Sequence, residues 1–270
     1  MKFEKFGRII EYSREHRAEM DKVLRRFYGA VNMDSEREML KLAEIVRPYC
    51  REKFCFLVHV PFSDKEIGAC CYRGDAFGYV FVNTSVPKAN ENFALAHELY
   101  HIHEGKKSFG HRLELYMDDG YNDSEEEIKA NIFAGMLLMP SESFAEMFRK
   151  FKSENEEGDT CLTLIARLMS YFEVPYMSVV IRCYELGLLE EDSELVKWLL
   201  EMEREKIAAE FNRKWLDETI LLPSKRDDYP RFREMISREG ESLVERGIYS
   251  KRQVEMILES MQEFYEEIRG

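Results

Sequence analysis

The amino-acid sequence predicts an α+β fold, in which a small antiparallel sheet is followed by a long run of helices. Short apolar, β-rich runs occur at residues 54–60, 67–72 and 79–83, and a glycine-containing stretch that suits a hairpin separates the last two. Elsewhere the apolar residues recur with the period of a helix. We therefore expect a sheet in the first third of the chain and an all-helical C-terminal region.

Helical periodicity predicts the other elements in order. Two helices precede the sheet, one at 9–28 and one from Ser35, which opens a capping-box pattern. The helix after the sheet starts at Asn90 or Asn92 and ends at Gly105. Later helices are expected at 125–138, 143–151, 162–172, 177–188, 193–216, 231–246 and 251–268. A charged stretch at 152–159 suggests a boundary, which gives an N-terminal helical extension at 1–34, a central domain at 35–155 and a helical C-terminal domain at 156–270.

Composition limits the function classes. The formal net charge of -13 disfavours direct nucleic-acid binding, which depends on Lys and Arg displacing counterions from phosphates. No apolar run approaches the roughly 20 residues that span a bilayer, and the charged N-terminus is unlike a signal peptide, so we expect a cytoplasmic protein without membrane contact. The six cysteines lack CxxC spacing and are interpreted as reduced, and Cys70 and Cys71 should face opposite sides of a strand.

The most informative motif is His97-Glu98-Leu99-Tyr100-His101. Residues four apart lie on one face of a helix, so both imidazoles can reach one zinc ion at about 2.0–2.1 Å. Glu98 is then the candidate general base that takes a proton from the attacking water. The alternative interpretation is that both histidines are hydrogen-bonded surface residues and that Glu98 pairs with a base.

A catalytic zinc site uses three protein ligands and leaves one position for water, so two histidines leave one ligand to be found. The candidates are Glu125, Glu126 and Glu127, at the start of the next predicted helix. A second helix crossing the first can direct a carboxylate at the ion. Helical periodicity alone does not decide which of the three it is.

Two longer segments carry a family resemblance. Residues 93–101, Phe-Ala-Leu-Ala-His-Glu-Leu-Tyr-His, and residues 127–140, which begin Glu-Ile-Lys-Ala-Asn and end Leu-Leu-Met-Pro, resemble the two motif helices of the ImmA/IrrE zinc metallopeptidases. The resemblance implies a gluzincin-like peptidase core at 35–155, zinc held by His97, His101 and Glu127, and Glu98 as general base and acid. Asn131 would orient a ligand histidine through its second ring nitrogen. Tyr100 departs from the glycine of many relatives, and nothing firm is recognised after residue 195.

The expected function is therefore that of a cytoplasmic zinc endopeptidase. By the resemblance, its substrate is a separate helix-turn-helix (XRE-type) repressor encoded nearby, so that proteolysis makes the protein an anti-repressor. The alternative is a regulatory module that binds a repressor or another partner, with a purely structural zinc. We expect the substrate to lie extended along the strand Tyr79-Val80-Phe81-Val82-Asn83. The candidates for an oxyanion donor stay open among Tyr100, His103, His111, Tyr116 and Tyr121.

Overall fold

The computed structural model describes residues 3–31, 42–53, 55–73, 78–104, 112–114, 125–190 and 192–270, and the α+β class predicted from the sequence is confirmed. The elements are α1 (Phe3–Val31), α2 (Leu42–Glu52), β1 (Cys55–Val60), β2 (Ile67–Arg73), β3 (Gly78–Asn83), α3 (Lys88–Glu104), β4 (Arg112–Glu114), α4 (Glu125–Leu138), α5 (Ser141–Ser153), α6 (Cys161–Phe172), α7 (Tyr176–Glu185), α8 (Ser193–Leu200), α9 (Arg204–Arg213), a short 3₁₀ helix (Glu218–Leu221), α10 (Tyr229–Glu245) and α11 (Lys251–Arg269).

The sheet is mixed, with the strand order β1-β3-β2-β4. The expected antiparallel pairing is found between β2 and β3 and between β2 and β4, but β1 runs parallel to β3. β3 lies between β1 and β2 because each of its residues is buried, and a strand of that kind is stable only with neighbours and cover on all sides. The short strand β4, which the sequence did not predict, forms the edge beyond β2.

The two faces of the sheet belong to two apolar clusters, because side chains alternate along a strand. Val80 and Val82 of β3 face the large core that contains α3 and α4. Tyr79 and Phe81 face the opposite way, into a smaller cluster with residues of α10 and α11. Cys71 and Cys70 of β2 divide between the same two clusters, as predicted for neighbours on a strand.

The C-terminal helices α10 and α11 form a hairpin that covers the outer face of the sheet. Phe232 lies against Tyr79 with ring centroids 5.9 Å apart, and Phe264 stacks on Phe81 at 5.5 Å. Near the end of the chain, the amide of Ser63 donates to the carbonyl of Ile268 at 2.9 Å. The hairpin is therefore an integral layer of the fold, although it is far from the sheet in sequence.

Several predicted boundaries shift in the structure. The helix expected at 193–216 is two helices, α8 and α9, because the chain breaks at 201–203. The helix containing the histidines starts at Lys88, where the amides of Asn90 and Glu91 bond to the carbonyl of Pro87. The predicted start at Ser35 lies outside the described residues, and the described part of that helix begins at Leu42.

One apolar core continues across the charged stretch at 152–159. It includes Phe144 and Phe148 of α5 together with Leu164 and Ile165 of α6. The predicted boundary between residues 155 and 156 is therefore not a gap in packing. Among the described residues no single helix is long and apolar enough to cross a membrane. The helices α6 and α7, which are bent relative to each other, reach that length and apolar composition only when taken together.

Candidate metal centre

The helix α3 is buried on nearly all sides, between the sheet and α4. Ala94, Ala96 and Leu99 are fully enclosed, and the polar residues among them are enclosed too. His97 is 1% exposed and Glu98 is 3% exposed. Because the helix is enclosed around His97 and Glu98, these two side chains have few alternative rotamers, and the site is held by the packed part of the fold.

Three side chains converge beside this helix. The Nε2 atom of His97 lies 3.0 Å from Oε2 of Glu127 and 3.2 Å from Nε2 of His101. Nε2 of His101 lies 3.4 Å from Oε1 of Glu127. In the described part of the chain these residues form a group whose ligand atoms all lie within 4.8 Å of one another. The structure thus brings together the three residues predicted as metal ligands.

Asn131 determines which nitrogen of His97 faces this group. Its Oδ1 lies 2.9 Å from Nδ1 of His97, and an amide oxygen only accepts hydrogen bonds. Nδ1 therefore carries the ring proton and donates it, which leaves a lone pair on Nε2. Asn131 is one turn after Glu127 on α4, so a single helix supplies both the carboxylate and the residue that orients the histidine.

The structure also separates the three glutamates that the sequence left as alternatives. Glu125 is largely exposed and pairs with Lys129, its carboxylate 2.8 Å from the ammonium group. Glu126 accepts a long hydrogen bond of 3.4 Å from the hydroxyl of Tyr100, whose pKa is raised by burial and by that carboxylate. Of the three, Glu127 faces the histidines.

Sequence reasoning missed a neighbour of the predicted general base. The thiol of Cys71, on β2, donates a hydrogen bond to Oε2 of Glu98. Burial raises the pKa of this thiol well above its usual range, and the nearby Glu98 carboxylate raises it further, so the group stays protonated at neutral pH. The only sequence signal was that Cys71 and Cys70 face opposite sides of a strand, which does not reveal what each side contacts.

One further expectation about the site is not met, and the structure shows the contacts of one of the open oxyanion candidates, His103. The strand from Tyr79 to Asn83 cannot add a substrate strand, because β3 is paired with β1 on one edge and β2 on the other. The ring of His103 lies against Phe27 of α1, and its Nδ1 is hydrogen-bonded to the hydroxyl of Tyr49 of α2 at 2.7 Å. The other oxyanion candidates His111, Tyr116 and Tyr121 lie outside the described residues.

A second buried ionisable cluster surrounds His59 on β1, which had no predicted role. Its Nε2 lies 3.4 Å from Oε1 of Glu91 on α3, and its Nδ1 lies 3.4 Å from Oδ2 of Asp228. Burial alone would raise the pKa of Asp228, but His59 and Arg226 outweigh it and lower that pKa to about 2. The cluster ties the sheet and α3 to the segment that leads into α10.

The donor set defines the class of site. Two imidazoles one helical turn apart and a carboxylate from a crossing helix form a group that could hold a metal ion, and a glutamate beside the first histidine completes a pattern typical of metallopeptidases. Residues 55–184 match the family model of peptidase family M78, described as the IrrE N-terminal-like domain. The chain thus carries a domain of this metallopeptidase family, which confirms the resemblance inferred from the motifs. A comparison with curated proteins gave no match.

The matched segment runs from β1 to the end of α7 and contains every residue of the candidate metal centre. The helices α1 and α2 and the elements from α8 to α11 lie outside it. The site therefore belongs to the family domain, whereas part of the packing around that domain comes from residues beyond the match.

Proposed function

We propose that this protein is a zinc-dependent endopeptidase. The single observation that carries the proposal is the group formed by His97, His101 and Glu127, with ligand atoms within 4.8 Å of one another in the described chain. His97 presents a lone pair to a carboxylate oxygen 3.0 Å away, and two acceptors at that distance repel unless a proton or a cation lies between them. The arrangement therefore suits a bound cation.

The chemistry of the donors favours zinc among the common divalent ions. Imidazole nitrogens combined with one carboxylate oxygen are a typical ligand set of catalytic zinc, and three protein ligands leave the fourth position for water or substrate. Calcium and magnesium prefer sites made of oxygen atoms alone. When bound there, zinc would polarise the scissile carbonyl and make the attacking water more acidic.

Glu98 is the group that we assign to proton transfer. It follows His97 on α3, is 3% exposed and accepts a hydrogen bond from the Cys71 thiol, so its carboxylate is shielded from bulk water. In this role Glu98 accepts the proton of the attacking water and delivers it to the leaving amine. Asn131 contributes by holding the imidazole of His97 in one orientation and one tautomer.

For the substrate we propose a helix-turn-helix repressor of the XRE type, encoded near this protein and cleaved in the cytoplasm to relieve repression. The support is the family of the domain and the absence of a basic character that would favour direct nucleic-acid binding, since the net charge is -13. The substrate strand is not expected on β3, whose two edges are paired. Among the described strands, β1 and β4 are the edges of the sheet.

The test compares cleavage by the zinc-loaded wild type and Glu98→Gln, using the repressor encoded beside the gene as substrate. We expect the wild type to cut the repressor and the variant to bind zinc with unchanged stoichiometry without cutting. Glu104→Gln is the matched control, because Glu104 is on the same helix but pairs with Arg26 at 2.6 Å. It should cleave like the wild type.

Two outcomes would contradict the proposal. Cleavage by Glu98→Gln at the wild-type rate would show that Glu98 does not transfer the proton in the reaction. An uncut repressor that is nevertheless released from its operator by both proteins would instead indicate a regulatory binding module with a structural zinc.

A further inference from the structure

The contact between Cys71 and Glu98 joins two elements that are distant in sequence. β2 pairs antiparallel with β3, with Cys71 opposite Val80, and this face of the sheet packs against α3 in the large core. The thiol is 8% exposed and the carboxylate is 3% exposed. Water therefore has little access to this contact, and the thiol is the donor that the strand supplies to Glu98.

We infer that Cys71 is a positioning residue for Glu98, which fixes one carboxylate oxygen so that the other is presented for proton transfer. The inference rests on the proposed peptidase function. A carboxylate has two oxygens, and Cys71 donates to Oε2. A donor attached to a paired strand prevents the carboxylate from rotating about its last side-chain bond, a torsion that is otherwise broad.

The chemistry of the site supports this role over the other roles of a cysteine. Among the described residues the group with metal-ligand spacing contains His97, His101 and Glu127 and does not include Cys71. A reactive or oxidisable cysteine acts as the thiolate, whereas here burial and Glu98 raise the pKa of the thiol. What remains is a neutral thiol, which is a weak but well-placed donor.

Cys70 offers a matched control for substitution. It is the next residue on the same strand and is 2% exposed, but it faces the opposite cluster, with Phe81 and Tyr79. Replacing either cysteine by alanine removes one buried sulfur atom, so the packing cost is similar. Only the substitution at Cys71 also removes the donor to Glu98.

The experiment measures kcat, KM and zinc stoichiometry for Cys71→Ala, Cys71→Ser and Cys70→Ala with a peptide that the wild type cleaves. For Cys71→Ala we expect kcat to fall by about tenfold, the low end for the loss of one hydrogen bond to a charged group because a thiol is a weak donor, with KM and zinc content unchanged. Cys71→Ser keeps a donor and should recover most of kcat, and Cys70→Ala should match the wild type. Equal losses of kcat in Cys71→Ala and Cys70→Ala would overturn the inference, since packing alone would then explain both.

A spectroscopic measurement separates this inference from the proposed function. The Raman S–H stretching band of Cys71 is isolated by subtracting the spectrum of Cys71→Ala from that of the wild type, and it requires no activity. Substituting Glu98→Ala should move this band to higher frequency, because the acceptor is lost. An unmoved band would refute the positioning contact even in an active enzyme. An inactive wild type with a shifted band would instead refute the peptidase function and leave the contact established.

Discussion

Substituting Asn131→Ala isolates the contribution of one hydrogen bond to the metal centre. Asn131 provides the acceptor at 2.9 Å for Nδ1 of His97 and contributes no ligand atom to the group formed by His97, His101 and Glu127. The substitution therefore leaves the predicted ligand set complete while releasing the histidine ring. We expect weaker zinc binding without a change in zinc stoichiometry.

The expected magnitude follows from the burial of the imidazole. His97 is 1% exposed, so water cannot readily replace the lost acceptor, and the N–H group is left without a partner. Such a buried donor costs about 1–3 kcal/mol. This cost lowers zinc affinity to the extent that it falls on the zinc-bound state, in which coordination through Nε2 keeps the proton on Nδ1. We expect a loss of about tenfold to a hundredfold, the usual effect of removing a hydrogen-bond partner of a metal-binding histidine, which corresponds to about 1.4–2.8 kcal/mol.

The assay is a competition titration of zinc against a chromogenic chelator at fixed pH, for the wild type and three variants. Asn131→Asp keeps an acceptor and should bind zinc at least as well as the wild type. Asn92→Ala is the matched control, because Asn92 is a part-buried asparagine whose amide donates to the carbonyl of Glu173 at 3.0 Å. It should lower the free energy of unfolding and leave zinc affinity unchanged.

Wild-type zinc affinity in Asn131→Ala would refute this reasoning, because it would show that packing alone orients the ring. Equal losses in Asn131→Ala and Asn92→Ala would refute it as well, since the effect would then come from general destabilisation. The Asn131→Asp result distinguishes the loss of the acceptor from the loss of the side chain.

Two further predictions concern the layers that hold the site. In Gly240→Ala the new methyl group would overlap the side chain of Val254 where α10 meets α11, so urea unfolding should show a loss of about 1–3 kcal/mol. Gly7→Ala in α1, where a Cβ meets nothing within 4 Å, should instead stabilise by about 0.5–1 kcal/mol, and equal effects of the two substitutions would contradict the contact. The pKa of Asp228 is lowered from 3.8 to about 2 in the folded protein. The ionised carboxylate therefore stabilises the fold at any pH above 3.8, and this stabilisation is lost as the pH falls through about 2. Asp228→Asn should therefore cost about 2 kcal/mol at neutral pH and weaken the acid dependence of the free energy of unfolding, whereas parallel pH profiles for variant and wild type would refute the coupling.

Features that depend on the residues of a single helix could be predicted from the sequence. The end of α4 at Leu138 agrees with the predicted end because Pro140 cannot continue the helix, and the described part of α4, Glu125–Leu138, is helical throughout as predicted. The convergence of His97 and His101 could likewise be predicted, because residues four apart lie on the same face of a helix. Choosing Glu127 among the three glutamates needed the family resemblance, because the orientation of α4 against α3 is a tertiary property.

Features that depend on pairing between distant segments were not predicted. β3 pairs in parallel with β1 and lies between β1 and β2. The strand order of a sheet cannot be predicted from the local sequence pattern of any one strand. Cys71 and Glu98 are 27 residues apart, and they meet only because that face of β2 packs on α3. The strand β4 spans Arg112–Glu114, which is too short for an alternating pattern to be recognised.

The hairpin of α10 and α11 has a consequence for the cell as well as for the fold. It covers the apolar face that Tyr79 and Phe81 present, yet it lies outside the segment that matches the peptidase family. A chain shortened to residues 55–184 would expose that aromatic surface and should aggregate. Substitutions in the hairpin should accordingly change how much active protein accumulates while leaving the turnover of each folded molecule intact, because they act on the unfolded fraction that proteases and chaperones remove.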